Sequence, residues 1–205
     1  MIIVNQTLTK EQLFSLCKTH CDNFLNANKI PIVPVYNQYT QYRGFYMPGK
    51  RPYIVVNVNN TLTPRYNPTP RNQSFPNHKT DSTPIGVLAH EVGHSVDWYL
   101  RTKGIQLAKD FRKLMRIEPQ VTSYDTIAIE RVAEAMRLFI LNPELLRLGR
   151  PRAYDILIAH LKPTVTNNWY DAYAPIGGNN ESKYLHWASQ WIKRGNNKSK
   201  ELELF

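Results

Sequence analysis

The chain has 205 residues, of which 42% are hydrophobic and 20% are charged, an ordinary balance for a globular protein. No stretch approaches the roughly 20 continuous apolar residues of a membrane-spanning helix, and the N-terminus lacks the basic segment and apolar run of a signal peptide. We therefore expect a soluble protein with no membrane contact, formed by a single domain over residues 1–195 and a flexible tail over residues 196–205.

The formal net charge is +10, from 26 Lys and Arg against 16 Asp and Glu. Such a surplus favours contact with polyanions, either nucleic acid or an acidic protein surface. The basic residues are scattered, with modest clusters only near residues 147–152 and 193–200. A solvated basic surface is the favoured interpretation, with weak nonspecific polyanion contact as its consequence.

The N-terminal part of the chain predicts one helix and two strands. A capping box formed by Thr9 and Gln12 precedes apolar residues at helical spacing and predicts a helix that starts at Thr9. Two segments rich in Val, Ile and Tyr, residues 30–36 and 53–59, predict strands. Residues 60–82 are dense in Pro and Asn and predict an irregular loop.

The rest of the chain predicts helices. The first begins at Ser82 or Thr83, with Pro84 as its first helical residue, and ends near Gly104. Further helices are predicted over residues 105–116, 127–141, 143–148, 153–161 and 182–193. A small N-terminal sheet followed by a mostly helical C-terminal part is an α+β pattern.

The two cysteines indicate a reducing compartment. Cys17 and Cys21 lie one helical turn apart, where a disulfide is geometrically awkward. His20 lies between them, so a metal cluster is an alternative, but core thiols beside a surface histidine are the favoured interpretation. The other histidines outside a motif, at positions 78, 160 and 186, are also predicted to be surface or capping residues.

The helix over residues 83–104 carries the pattern His90-Glu91-Val92-Gly93-His94. At about 100° per residue the two histidines fall about 40° apart on one face, so both imidazoles can reach one ion. Neutral imidazoles suit zinc, and Glu91 is offset so that it can take a proton from a water at the metal. The small Gly93 lets this helix pack in a core while the histidines face a cleft. Two partly buried structural histidines are the alternative.

A catalytic zinc also needs a third protein ligand. The position six residues after His94, where some zinc peptidases carry a third histidine, is Leu100. Asp97 is too close along the helix to be a natural ligand and is predicted to accept a hydrogen bond from a ligand histidine, with a salt bridge or cap as the alternative.

A second block offers better candidates for the third ligand. Glu130 and Glu134 stand one turn apart in an otherwise apolar helix, where two carboxylates are costly to bury unless a cation or donors compensate them. A zinc ion would supply that compensation. A solvated stripe paired with Arg131 and Arg137 is the alternative.

These blocks resemble the gluzincin metallopeptidases, most closely the family of the anthrax lethal factor catalytic domain, which includes the Pro-Pro endopeptidases. The resemblance lies in residues 90–97 and in residues 122–124 followed by 130–137, with a connection of similar length between them. It implies a zincin-like fold. A further segment, residues 137–154, resembles an extension in small phage-encoded or bacterial members, which suggests a viral origin and a cytoplasmic or virion-associated location.

The same resemblance implies a role for each matching residue. Zn²⁺ would be held by three ligands, His90, His94 and Glu130. Glu91 would be the general base, and Tyr124 would hydrogen-bond the tetrahedral intermediate or protonate the leaving amine. Glu134 would accept a hydrogen bond from a ligand histidine. The alternative is that Glu134 is the ligand and Glu130 lies outside the site.

The sequence therefore predicts a zinc-dependent endopeptidase that acts on a protein or peptide substrate. The strand over residues 53–59 is predicted to pair with an extended substrate along its edge. Two alternatives stay open. One is a structural protein of virion assembly that keeps a zinc site for folding. The other is a nucleic-acid-associated basic module, suggested by the net charge.

Overall fold

The computed structural model of the protein describes residues 9–61, 82–118, 127–143, 146–147 and 150–163. These residues form helices packed around a central helix, with a three-stranded sheet against one side. The α+β class predicted from the sequence is confirmed. The predicted helix over residues 182–193, the tail over 196–205 and most of the predicted loop over 60–82 lie outside the described residues. No described helix is both long enough and apolar enough to cross a membrane.

The first helix, α1, spans Lys10–Ala27 and begins as the capping box predicts. The Thr9 side chain accepts from the Gln12 backbone N–H, and the Gln12 side chain accepts from the Thr9 N–H. Cys17 and Cys21 are buried free thiols whose sulfur atoms lie 3.9 Å apart, so their assignment to the core is confirmed. His20 has Nε2 at 2.8 Å from the Ile140 carbonyl, in the last turn of another helix, as expected for a capping residue.

The sheet contains β1 at Val35–Asn37, β2 at Gly44–Met47 and β3 at Tyr53–Val56. Its order is β1-β3-β2, with β1 parallel and β2 antiparallel to β3. Because β3 is the central strand, the prediction that it offers a free edge to substrate was wrong. Among the described residues β2 is an edge strand, and the sequence analysis did not predict it.

Both predicted strands proved shorter than expected, for reasons visible in the chain. The strand predicted over residues 30–36 contains Pro31 and Pro34, which have no N–H to donate to a ladder, and pairing starts only at Val35. The strand predicted over residues 53–59 ends at Val56. There the Asn57 side chain accepts from the Asn60 backbone N–H and begins a 3₁₀ turn, Val58–Asn60.

The remaining helices follow the prediction within one or two residues at most ends. Helix α2 spans Pro84–Thr102, α3 Gln106–Ile117, α4 Ala128–Leu141 and α5 Pro151–Ile158. The Thr83 side chain caps α2 by accepting from the Gly86 N–H. Of the helix predicted over 143–148, residues 143, 146 and 147 are described and are helical.

Helix α2 is the centre of the core. It contacts α1, α3, α4, β2 and β3, and its residues are buried almost continuously from Pro84 to Asp97. Helix α4 approaches it most closely beside Gly93. A Cβ added there would lie 2.9 Å from the Ala133 carbonyl oxygen and 2.9 Å from the Met136 Cβ. The prediction that Gly93 lets this helix pack in the core is confirmed, and only glycine fits this approach without movement of α4.

Substitution Gly93→Ala should therefore lower the free energy of unfolding by about 1–3 kcal/mol, because the added methyl forces the two helices apart. Urea denaturation would measure this. Thr102→Ala, at an exposed position in the last turn of the same helix, is the control and should change stability by less than about 0.5 kcal/mol. A Gly93→Ala protein as stable as the parent would contradict the close packing.

Candidate metal centre

Two helices bring three metal-ligating side chains together. Helix α2 carries His90 and His94 on one face, and α4 carries Glu130 opposite them. Glu130 Oε2 lies 3.0 Å from His90 Nε2 and 3.5 Å from His94 Nε2. One ligand atom from each of the three residues lies within 4.8 Å of the others. Within the part of the chain that the structure describes, no other group of three His, Cys, Asp or Glu side chains converges in this way.

The donor set fits a zinc ion. Two imidazole nitrogens and one carboxylate oxygen are the protein ligands of many catalytic zinc sites. In a tetrahedral site with ligand distances of about 2.0–2.1 Å, neighbouring ligand atoms lie about 3.3 Å apart. The two nitrogen-to-oxygen distances of 3.0 and 3.5 Å bracket that value. A divalent ion could therefore be bound with little movement of these side chains.

Glu134 lies behind His90, as predicted. Its Oε1 is 2.7 Å from His90 Nδ1, the ring nitrogen that faces away from Glu130. An imidazole whose Nδ1–H donates to this carboxylate presents Nε2 as its metal-binding nitrogen. This contact contradicts the alternative in which Glu134 is the ligand and Glu130 lies outside the site.

Arg137 compensates the buried charge of Glu134. Its Nε and Nη2 each donate to one oxygen of Glu134 at 3.0 Å, and neither side chain has any exposed surface. Burial raises the pKa of Glu134, but Arg137 and His90 more than offset this and hold that pKa below the usual range of a carboxyl. The interpretation of Glu130 and Glu134 as a solvated stripe is therefore wrong for Glu134. Arg131, its other suggested partner, donates to carbonyls of Met115 and Glu118.

The three candidate ligands also contact one another through polar atoms. Burial lowers the pKa of His90, but hydrogen bonds to Glu130 and Glu134 and the nearby carboxylate charges raise it to about 10. Burial raises the pKa of Glu130, but its hydrogen bonds to His90 and His94 and their charges lower it to about 2. At neutral pH a proton on His90 therefore occupies the place that a metal ion would take.

Glu91 lies beside the three candidate ligands and is not part of the group that they form. It is buried at 8% exposure and lines the same cleft. The pKa of Glu91 is raised from its ordinary value, mainly because burial disfavours the charged carboxylate. The charges of His90 and His94 and a hydrogen bond from the Tyr46 backbone N–H oppose this rise, and the charge of Glu130 adds to it. Strand β2 can approach this closely because residue 44 is glycine. A Cβ at Gly44 would lie 2.6 Å from Val87 Cγ1 and 3.3 Å from Glu91 Cγ.

The site opens into a cleft of about 450 Å³ between β2 and α2. One wall is aromatic and the other carries the metal ligands and charged groups. Burial raises the pKa of the Tyr46 phenol to about 12, with Arg101 lowering it and Asp97 adding to the rise, so this hydroxyl stays a hydrogen-bond donor at neutral pH. The lining residues outside the metal centre are Tyr42, Gly44, Phe45, Tyr46, Pro48, Asp97, Trp98, Arg101 and Ile129.

Asp97 does not contact a ligand histidine, so the favoured prediction for it was wrong and the salt-bridge alternative holds. Arg112 of α3 donates through Nε to Asp97 Oδ1 at 2.9 Å and through Nη2 to Oδ2. Arg101 Nε lies 3.3 Å from the same Oδ2. Two arginines therefore compete for this carboxylate, which is 3% exposed.

Three residues in or beside the cleft were not predicted from the sequence, and one predicted residue is not among those that the structure describes. Tyr124 lies outside the described residues. Tyr46, Arg101 and Arg112 were missed because the sequence shows neither β2 nor the packing of α3 on α2. Arg101 alone carries a readable signal, since it follows His94 by seven residues and therefore shares its helix face.

Comparisons of the chain with protein-family models, with curated proteins and with solved structures found no match.

Zinc binding should release about one proton at neutral pH, because the ion must displace the proton held by His90. Titration calorimetry in buffers of different ionisation enthalpy measures this number. Since the pKa of His90 in the metal-free protein is raised to about 10, apparent affinity should rise about tenfold per pH unit between pH 6 and 8. His160→Gln, at an exposed histidine outside the site, should behave like the parent. Zinc affinity independent of pH would refute the assignment.

Replacing Arg137 with Met should lower the free energy of unfolding by about 3–5 kcal/mol, because Glu134 keeps its charge but loses one of its two buried partners. The pKa of Glu134 is lowered in the folded protein. The ion pair therefore stabilises the folded protein fully at pH values above a carboxyl's ordinary pKa, and this stabilisation is lost as the pH falls through the lowered pKa. The difference from the parent should shrink in acid. The double variant Glu134→Gln/Arg137→Met should recover part of the loss in urea denaturation; equal stability of single and double variants would argue against the pair.

Proposed function

We propose that the protein is a zinc-dependent endopeptidase of the gluzincin type. The observation that carries the proposal is the convergence of His90, His94 and Glu130 at one point of an open cleft, with a buried carboxylate, Glu91, beside them that is not part of the converging group. The three converging side chains would hold the ion, and Glu91 would take a proton from a water bound to it.

A zinc ion, when bound, lowers the pKa of a coordinated water and polarises the carbonyl of the scissile bond. The three ligands would hold it at the junction of α2 and α4. Glu134 and Arg137 fix the ring of His90 so that Nε2 faces the ion. The ligand geometry is thus supported from behind by a fully buried ion pair.

Glu91 is the proposed general base. Its carboxylate would accept the proton that the attacking water loses and pass it to the leaving amine. A base works best when its pKa lies near the working pH, and burial moves the pKa of Glu91 upward in that direction. The Tyr46 N–H holds the carboxylate at the cleft wall, next to the ligands of its own helix.

Two further groups would handle the substrate. Strand β2 is an edge strand among the described residues and borders the cleft, so an extended peptide could pair with it. Tyr124 is proposed as the donor to the oxyanion or the leaving amine, a role supported by its place in the sequence block that precedes Glu130.

The main alternative is an assembly protein whose zinc site only stabilises the fold. Structural zinc sites are closed by four protein ligands, whereas three side chains converge here among the residues that the structure describes, and one side faces a cleft. A buried non-ligand carboxylate such as Glu91 would also be costly in a site with no chemistry to perform. Both features favour an enzyme.

The test is a peptide-library cleavage assay with zinc analysis of the same preparations. Glu91→Gln should keep its zinc, because Glu91 is not a ligand, but should lose cleavage by at least about 10²-fold because the base is gone. Glu130→Ala should lose both zinc and cleavage. Glu11→Gln, an exposed carboxylate on α1, is the matched control and should retain both.

Each alternative has its own outcome in this assay. Full cleavage by Glu91→Gln would sink the proposed mechanism. Stoichiometric zinc with no cleavage of any peptide would favour the structural protein. Unchanged zinc in Glu130→Ala would overturn the ligand assignment.

A further inference from the structure

Arg101 shares a helix face and a cleft with the candidate metal centre. It follows His94 by seven residues, which on an α-helix is two turns and about 10 Å along the axis. Both side chains line the cleft between α2 and β2. An extended peptide rises about 3.3 Å per residue, so this distance corresponds to about three residues of substrate.

The charges around Arg101 do not balance. The buried carboxylate of Asp97 has one negative charge and faces two arginines. Arg112 takes both of its oxygens in a two-point contact, whereas Arg101 contacts it only as an ion pair at 3.3 Å through Nε. Asp97, Arg101 and Arg112 together have a formal net charge of +1, and Arg101 is the arginine of the two that lines the cleft.

Arg101 is also held in place and has donors to offer. Its guanidinium carbon lies 5.1 Å from the centre of the Trp98 ring, a cation–π contact that restricts the side chain. Its side chain is 36% exposed. In the described part of the chain, no acceptor hydrogen-bonds to its terminal amino groups. A planar guanidinium held in this way matches a carboxylate in a two-point contact at reduced entropic cost.

We infer that the cleft selects peptides with an acidic side chain about three residues from the cleaved bond, and that Arg101 binds that carboxylate. The inference depends on the proposed peptidase function, for which it names the substrate class. The aromatic wall of Tyr42, Phe45 and Tyr46 then packs against the apolar part of the same peptide. The net charge of +10 would speed encounter with such acidic substrates.

A peptide fits this cleft better than a nucleic acid. Asp97, Glu91 and Glu130 line the same cleft as Arg101. A nucleic acid has a phosphate at every nucleotide and would bring several negative charges against these carboxylates. A peptide can place a single carboxylate at Arg101 and neutral backbone beside the others.

The experiment starts from an uncharged peptide that the protein cleaves, with a single Glu placed at each position within four residues of the cleaved bond. The best position is then compared as Glu and as Gln. We expect kcat/KM to favour Glu by about tenfold, mainly through KM and less at high salt. Arg101→Gln should reduce this ratio to about one, and Arg101→Lys should retain part of it.

Arg116→Gln is the matched control, because it removes one exposed arginine from α3 outside the cleft lining. It should keep the parent ratio of Glu to Gln. A ratio lowered equally by both Gln variants would mean that overall charge sets the preference, and would overturn the inference. Thermal melts of the zinc-loaded variants check that each is folded.

The outcomes separate the two proposals. Cleavage without any preference for Glu overturns the inference about Arg101 and leaves the peptidase intact. If no peptide is cleaved, the peptidase proposal fails, and fluorescence anisotropy of labelled, otherwise uncharged peptides that carry a single Glu or a single Gln decides whether Arg101 binds a carboxylate. Equal binding of both peptides overturns it. A further outcome is that a single-stranded oligonucleotide displaces the Glu peptide from the parent protein but not from Arg101→Gln. That result would overturn the inference, because Arg101 would then bind nucleic acid.

Discussion

The close approach of α4 to α2 beside Gly93 is the constraint on which the site depends. Helix α4 can supply Glu130 to the histidines of α2 only if the two backbones nearly touch, and a Cβ at position 93 would lie 2.9 Å from the Ala133 carbonyl. The glycine stands between His90 and His94 in sequence. The same turn of α2 thus provides two ligands and the space that lets the third one reach them.

Buried charge then links the site to the fold. His90 is bonded to Glu134, and Glu134 is bonded to Arg137, whose side chain is completely buried. Each of these groups would be costly to bury alone, since a buried charge needs a partner. Together they form a chain from the core to the ligand nitrogen. The orientation of His90 is therefore determined by residues that would never touch a substrate.

The cleft has a different electrostatic organisation at its two ends. Carboxylates and imidazoles surround the candidate metal centre, where a cation would be stable. About one turn beyond His94 on α2, Asp97 is shared by Arg101 and Arg112, and these three side chains have a formal net charge of +1. An extended ligand lying along β2 would meet both environments. The two ends of the cleft therefore differ in charge. Under the proposed function, a peptide with a defined sequence can place a different side chain at each end, whereas a uniform polyanion has the same charge at both.

The sequence alone predicted most of the described helices and the group of His90, His94, Glu130 and Glu134, because helical spacing and the cost of burying carboxylates point to them. The choice of Glu130 over Glu134 as the candidate ligand came from the resemblance to the gluzincins. The sequence also predicted the capping box of α1 at Thr9 and the start of α2 at Ser82 or Thr83. Only the tertiary structure decided the partner of Asp97, the identity of the edge strand and the place of Arg101. Those depend on contacts between segments far apart in the chain. Strand β2 has four residues, too few for a periodic signal, and Arg112 reaches Asp97 only because α3 folds back onto α2.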